Sequence, residues 1–320
     1  MKTPDICPKI CSLEWLFYRK FAIFAIHNHQ AMLHRLFRTA AVLLCAAIIA
    51  PGAAGWGRMG HSTVAKIAQN HLTKTTREKV NEILHGQSMT GLASYCDDYR
   101  ADVDATFSPE WAQGVPHAHT FEVDENNRPF PVLKHPKTGR GLTNCVYFAD
   151  HCLQDLGHAQ DFPDSIRWKA LVMAVHLLGD MHCPGHIRYA ARHRDIGKFD
   201  VTFVGEETNY HKVWDYYMVV SPLPYSFSDI AEICDDCTPE QMAEIVKGTP
   251  YDWGKDNADK CESVRLDGVS EGDQLNGLWQ RDHAELTRTQ LRNAGYRLAH
   301  ALNMAFDPKY ARKFNRKYNK

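Results

Sequence analysis

The chain carries almost no net charge. Lysine and arginine number 37 against 38 aspartates and glutamates, giving a formal charge of −1 at neutral pH. A protein so balanced exerts no long-range pull on nucleic acid through its overall field, which counts against a tight duplex binder. It does not count against an enzyme that grips phosphate locally. Long apolar runs are also lacking. The main one, residues 39–50, is too short for a comfortable bilayer span. No internal repeat and no low-complexity tract interrupts an ordinary globular composition. The Cys-x-x-Cys from Cys234 to Cys237 has no second copy. A zinc knuckle is therefore disfavoured there, and a disulfide or free thiols is the expectation.

What is present begins near the N-terminus. From Met32 a short basic segment precedes the apolar run, and Pro51-Gly52-Ala53-Ala54-Gly55 follows. This is the layout of a secretory signal peptide. Residues 1–55 are read as the signal region, with the signal itself at 32–55, and residues 56–320 as one domain. The protein is expected to be secreted or periplasmic, with no stable membrane association, and monomeric. An exported chain is also expected to pair some of the seven cysteines that follow residue 55. Cleavage after Gly55 leaves Trp56 first. A free α-amino group and the carbonyl oxygen of the same residue can chelate one metal ion. Gly57 and Gly60 let the backbone fold back so that His61 reaches the same ion.

Apolar residues recur at helical spacing over residues 62–72, 76–84, 92–100, 145–156, 165–183, 228–233, 239–246 and 280–306. The last has Leu286, Leu291, Ala294, Leu298 and Leu302 as its core face. Brief extended pieces fall at 121–124 and 201–204, and 107–119 and 134–140 read as loop. The fold class expected is all-α, a single compact multi-helix domain.

Within the helix over 165–183, His176 and Asp180 are four apart and share one face. Pro184 and Gly185 then turn the chain, so His186 can return to the same space. Imidazole and carboxylate are zinc ligands when no thiolate is offered. A second such pair is His211 and Asp215. Two pairs and a spare histidine exceed what one tetrahedral ion uses, which points to a multinuclear zinc site. His182 points elsewhere on the helix and is left out. His71, His158 and His193 lie in polar surroundings and read as solvated. Arg100, three residues beyond Asp97, is placed to grip a substrate oxyanion.

The order Trp-Gly-x-x-Gly-His, Asp-Asp-Tyr-Arg, a mid-chain His, His-x-x-x-Asp-Met-x-x-Pro-x-His and Asn-x-His-x-x-x-Asp resembles the zinc-dependent single-strand nucleases and 3′-nucleotidases. These type I nucleases share a superfamily and a helical fold with zinc-dependent phospholipases C. The resemblance implies three zinc ions in one cleft. One would be held by Asp97, His119, His176 and Asp180. A second would be held by His186, His211 and Asp215. The third would use the Trp56 amino and carbonyl groups, His61 and the other oxygen of Asp180. His117 competes with His119 for the mid-chain position. Arg100 matches the family arginine that steadies phosphate, so Asp97, Arg100 and Asp180 are the catalytic candidates. The implied reaction is in-line hydrolysis by water acidified between ions. Single-stranded nucleic acid would give 5′-phosphorylated products, and 3′-mononucleotides are a further substrate. Single strands would be preferred because a base must leave its stack to lie on an aromatic wall, with Phe121, Tyr210 and Trp214 as candidates.

Two positions depart from the family pattern. A base-stacking Tyr five residues before the His of Asn-x-His is here Glu206, and an Asn earlier in that loop is Gly197. Base preference should shift accordingly. Phospholipase C is the rival with the same zinc architecture, but its last motif usually ends in Glu where this chain has Asp215. A non-catalytic zinc-binding protein is the rival from another class.

Overall fold

The structure, a computed structural model, describes residues 56–99, 119–130, 132–134, 141–143, 145–189, 199–220, 225–265 and 268–318. All belong to one unit, residues 53–320. Arg100, His117, His193, Gly197 and the signal region lie outside the described residues.

Helices dominate, and their caps are local. Trp56 and Gly57 lead into α1 (Arg58–His71). Thr73 caps α2 (Lys74–Ile83) by accepting from the Thr76 amide. The helix expected over 92–100 is instead two short turns, α3 (Met89–Leu92) and α4 (Tyr95–Asp98), with Ser94 between them. Next come α5 (Cys145–Gly157) and α6 (Asp164–Asp180). From Ala170 to Asp180 every residue of α6 is buried. A helix covered on all faces is the centre of its domain, and α5 packs along it.

After α6, a 3-10 turn (Pro184–His186) carries the chain into a strand. α7 (Tyr210–Lys212) continues into a π turn (Val213–Tyr217) and α8 (Met218–Val220). Full capping boxes start α9 (Phe227–Cys234) and α10 (Pro239–Ile245). α11 (Pro250–Arg265) was not expected from spacing, because its apolar positions are sparse. α12 (Gly277–Phe306) is capped by Asn276 and buries its second half, while α13 (Pro308–Tyr318) closes the described chain.

Three small sheets are added to this helical frame. β1 (Phe121–Glu122) runs parallel to β4 (Ile187–Arg188). β2 (Val132–Lys134) pairs antiparallel with β3 (Gly141–Thr143), two strands that were not expected; they flank the loop expected at 134–140 and overlap it only at Lys134. β5 (Asp200–Phe203) pairs antiparallel with β6 (Glu206–Asn209) and parallel with β7 (Gln274–Leu275). Val204 and Gly205, both at positive φ (49° and 90°), make the two-residue hairpin between β5 and β6. That hairpin sets where β6 delivers Asn209 and α7.

None of the seven cysteines described is disulfide-bonded. Cys145 and Cys152 lie about two turns apart along one helix, too far for a bridge. Cys234 is buried in the packing of α9, whereas Cys237 is held in the following turn by the Tyr296 hydroxyl, which its amide meets at 3.2 Å. Of the two alternatives for Cys234 and Cys237, a disulfide or free thiols, the structure has free thiols, and the pairing expected for some of the seven cysteines is not formed. No described helix is long and apolar enough to cross a membrane.

α12 meets α1 closely at Gly295, where an added Cβ would stand 2.5 Å from Ile67 Cβ. At Gly157, by contrast, an added Cβ meets nothing within 4 Å. Gly295→Ala should lower unfolding stability by about 1–3 kcal/mol through overpacking. Gly157→Ala should leave it unchanged or slightly higher. Urea unfolding of the two variants checks the contrast.

Candidate metal centre

Five elements converge at the C-terminal end of α6. His176 and Asp180, one turn apart, are both fully buried. Met181 and the turn after it are held from behind, by the Asn257 amide donating to Met181 O at 2.9 Å. α1 brings His61 against α6 at Gly179, where an added Cβ would stand 2.8 Å from His61 Nδ1. The close approach lets the His61 and His176 rings stack at 4.1 Å. The parallel pairing of Phe121 with Ile187 sets His119 and His186, each just ahead of its strand, side by side. α4 supplies Asp97. Gly57 N donates to Asp215 O at 2.7 Å, tying the chain beside Trp56 to the π turn that carries Asp215. Trp56 is itself fully buried.

Asp180 is the hub. Its Oδ2 lies 2.7 Å from His119 Nδ1 and 3.1 Å from His176 Nε2. Its Oδ1 lies 3.4 Å from His61 Nε2 and 3.4 Å from His186 Nδ1. Asp97 Oδ1 stands 3.4 Å from His119 Nδ1 and 3.6 Å from His176 Nε2. Next to this, His186 Nε2 is 3.4 Å from Asp215 Oδ1, and His211 Nε2 is 2.9 Å from Asp215 Oδ2. Two imidazoles are oriented by backbone carbonyls. His176 Nδ1 donates to Ala93 O at 2.9 Å, and His211 Nδ1 to Gly185 O at 3.1 Å, which turns each Nε2 toward the cluster. A π turn at Asp215 matches the tendency of such turns to occur at functional sites.

Among the described residues, three groups of side chains place their ligand atoms close enough to hold a metal ion. These are His61, His176 and Asp180; Asp97, His119 and His176; and Cys183, His186 and Asp215. Both ring nitrogens of His61, both of His186, and Asp180 Oδ1 are buried without a hydrogen-bond partner. Each such atom costs roughly 1–3 kcal/mol if left so. Their concentration around one carboxylate is what a cation would answer.

The S1/P1 nuclease family model matches residues 56–307. This chain belongs to the S1/P1 nuclease family. Its relatives include Endonuclease 2 of Arabidopsis thaliana, 24% identical over 80% of this chain and 92% of that one. Nuclease S1 of Aspergillus oryzae is 24% identical over 78% and 91%. Nuclease P1 of Penicillium citrinum is 29% identical over 51% and 58%. Family membership makes the chain a hydrolase of phosphodiester bonds, in the helical fold of the phospholipase C and nuclease superfamily.

As a family member the chain keeps eight sequence-picked side chains in one place: His61, Asp97, His119, His176, Asp180, His186, His211 and Asp215. His182 stands apart, as its direction on the helix implied. Its Nδ1 donates to Leu178 O at 2.7 Å, and its Nε2 accepts from Arg297 Nη1 at 3.0 Å. His71 is a correction. Far from simply solvated, it pairs with Asp235 at 2.7 Å and meets the edge of Tyr296. Glu206 opens β6, exposed. Tyr210 and Trp214 are fully buried and Phe121 nearly so, which makes them core and not an open base wall. Cys183 joins one of the three ligand-atom groups without having been picked from the sequence. It lies between Asp180 and His186, three positions from each, and that spacing was the available signal.

Burial opposes charge throughout the cluster. It pushes the Asp97 carboxyl up to about 7. With help from His176, it pushes His61 down to about 4. At His176 burial also works downward, but the Asp180 carboxylate outweighs it and holds the imidazole up at about 9. His186 is raised too, against burial, by Asp215 and Asp180. Asp180 and Asp215 resist the upward push of burial because His176 and His119, and His186 and His211, hold them well below the usual carboxylate range.

The pH dependence of the metal-free protein follows. His176 is raised above its unfolded value, so the stability it contributes is complete below about 6.5 and is lost as pH rises through about 9. Asp97 shifts in the same sense but is finished by about pH 7, and His61 acts oppositely only below 6.5. Metal-free protein should therefore lose on the order of 3 kcal/mol of stability across pH 7–9. Zinc-loaded protein should show a flat or rising profile, because a cation takes the proton's place. Denaturation at several pH values, with and without zinc, checks this. The same fall in both forms would contradict it.

Proposed function

We propose that this chain is an exported, monomeric, zinc-dependent nuclease that cuts single-stranded DNA and RNA to 5′-phosphorylated products and also dephosphorylates 3′-mononucleotides. The observation that carries the proposal is the division of Asp180. One oxygen faces His119 and His176, the other faces His61 and His186. A carboxylate so placed is suited to join two ions.

Asp97, His119, His176 and Asp180 would hold one zinc. His61, the other oxygen of Asp180 and the freed amino and carbonyl groups of Trp56 would hold a second. His186, His211 and Asp215 would hold the third. Buried imidazoles without partners fit a borderline-soft cation that prefers nitrogen ligands. When bound, the ions supply Lewis acidity to the phosphate and acidify the attacking water at neutral pH.

The chain's own groups do the rest. Ala93 O and Gly185 O fix the tautomers of His176 and His211, so each presents Nε2 inward. Arg100, beside Asp97 in sequence, would pair bidentately with a non-bridging phosphate oxygen. His211, a quarter exposed where the other cluster imidazoles are covered, marks the side from which a strand enters. Export by the segment at 32–55 would free Trp56 and would put the protein in a periplasm or outside the cell.

The test is a substrate panel on protein beginning at Trp56. Denatured DNA, RNA and a 3′-mononucleotide should be hydrolysed, and native duplex and phosphatidylcholine should not. Asp180→Asn should reduce turnover of denatured DNA more than any other single change among the eight side chains. Turnover of phosphatidylcholine alone, or of nothing despite bound zinc, would sink the proposal.

A further inference from the structure

Cys183 is used by nothing in the reading above. It is fully buried, and its Sγ lies 3.0 Å from Asp215 Oδ1, the oxygen that His186 Nε2 approaches to 3.4 Å. Cys183, His186 and Asp215 form one of the three groups whose ligand atoms lie close enough to share an ion; His211 is not in that group. The independent sign of a ligand is His186. It is fully buried, with neither ring nitrogen hydrogen-bonded, and its Nε2 is aimed at the same carboxylate. The local backbone makes the thiol face this point. Cys183 N donates to Asp180 O at 3.0 Å and its carbonyl accepts from His186 N at 3.0 Å, which locks the turn between α6 and the 3-10 segment. An added Cβ at Gly185 would press on both Asp215 Oδ1 (3.2 Å) and His211 Nδ1 (3.3 Å). The turn is thus built to bring sulfur, carboxylate and imidazoles together.

We infer that Cys183 would be a thiolate ligand of the zinc ion proposed for His186, His211 and Asp215, as a fourth protein ligand. This rests on the zinc reading proposed above. On binding, the S–H bond breaks, the sulfur lone pair bonds the cation, and one proton leaves to solvent. A set of two imidazoles, one carboxylate and one thiolate is softer than the nitrogen and oxygen sets of the other two positions. It should favour zinc, cadmium or cobalt over magnesium or manganese.

The experiment substitutes cobalt(II) for zinc in protein beginning at Trp56. A thiolate bound to cobalt gives an intense near-ultraviolet charge-transfer band that nitrogen and oxygen ligands do not. The wild type should show the band. Cys183→Ser should lose it, while Cys152→Ser, a buried thiol on α5, should keep it. In case Cys183→Ser folds poorly, zinc-edge X-ray absorption on the wild type should contain a sulfur neighbour at about 2.3 Å. Metal bound with only nitrogen and oxygen neighbours would overturn the inference and leave the zinc reading standing, as would a band that survives in Cys183→Ser. Failure to bind metal at all would overturn both.

Discussion

One fully buried carboxylate, Asp180, is surrounded by four imidazoles, and the rest of the site is arranged around that fact. An ionised acid in such a place is costly unless opposite charge and hydrogen bonds meet it. Here two histidines crowd one oxygen and two stand a little farther from the other. Without a cation the balance is kept by protons, which is why His176 is held so basic and Asp97 so weakly acidic. With cations bound as proposed, the imidazoles would become ligands and the proton burden would go. The same side chains would then serve two charge states, held in place by the fold through both.

The frame does this from outside the cluster. α6 is covered on every face, so its last turn cannot shift without disturbing the core. α1 is pressed onto α6 at Gly179 and onto α12 at Gly295, both contacts too close for a methyl group. Arg297 of α12 reaches inward to His182, Asn257 and Asp256, and Asn257 in turn holds Met181. A buried guanidinium with four partners, the fourth being Ile245 O at 3.0 Å, thus braces the segment between Asp180 and His186. Strand pairs of two to four residues place His119, His186 and His211 with no need for a large sheet.

Much of this was legible from residues alone. Most long helices announced themselves by apolar spacing; in α12 Leu291, Ala294, Leu298 and Leu302 are buried as expected and Leu286 partly so, but burial of its second half extends beyond that one face. His176 with Asp180, and His211 with Asp215, were readable because four-residue spacing is geometry before it is chemistry. What spacing does not carry is direction across elements. Which oxygen of Asp180 meets which ring depends on α1 approaching at Gly179, a tertiary fact. Cys183 was overlooked because its partner, Asp215, lies 32 positions away, on a π turn that no periodicity signals. α11 was missed because Trp253, Asn257, Ala258 and Cys261 are too few and too mixed to form an apolar stripe. The segment around Ser94 read as one helix, yet it breaks there so that Asp97 can face inward and Ala93 can offer its carbonyl to His176.

In the proposed site Asp180 would join two cations. Anomalous scattering at the zinc edge, from crystals of protein beginning at Trp56 and grown with zinc, tests it most directly. The account predicts one peak on each side of the Asp180 carboxylate, one toward His119 and His176 and one toward His61, with a further peak between His186 and Asp215. A single ion held by one oxygen of Asp180, or peaks remote from the cluster, would contradict it.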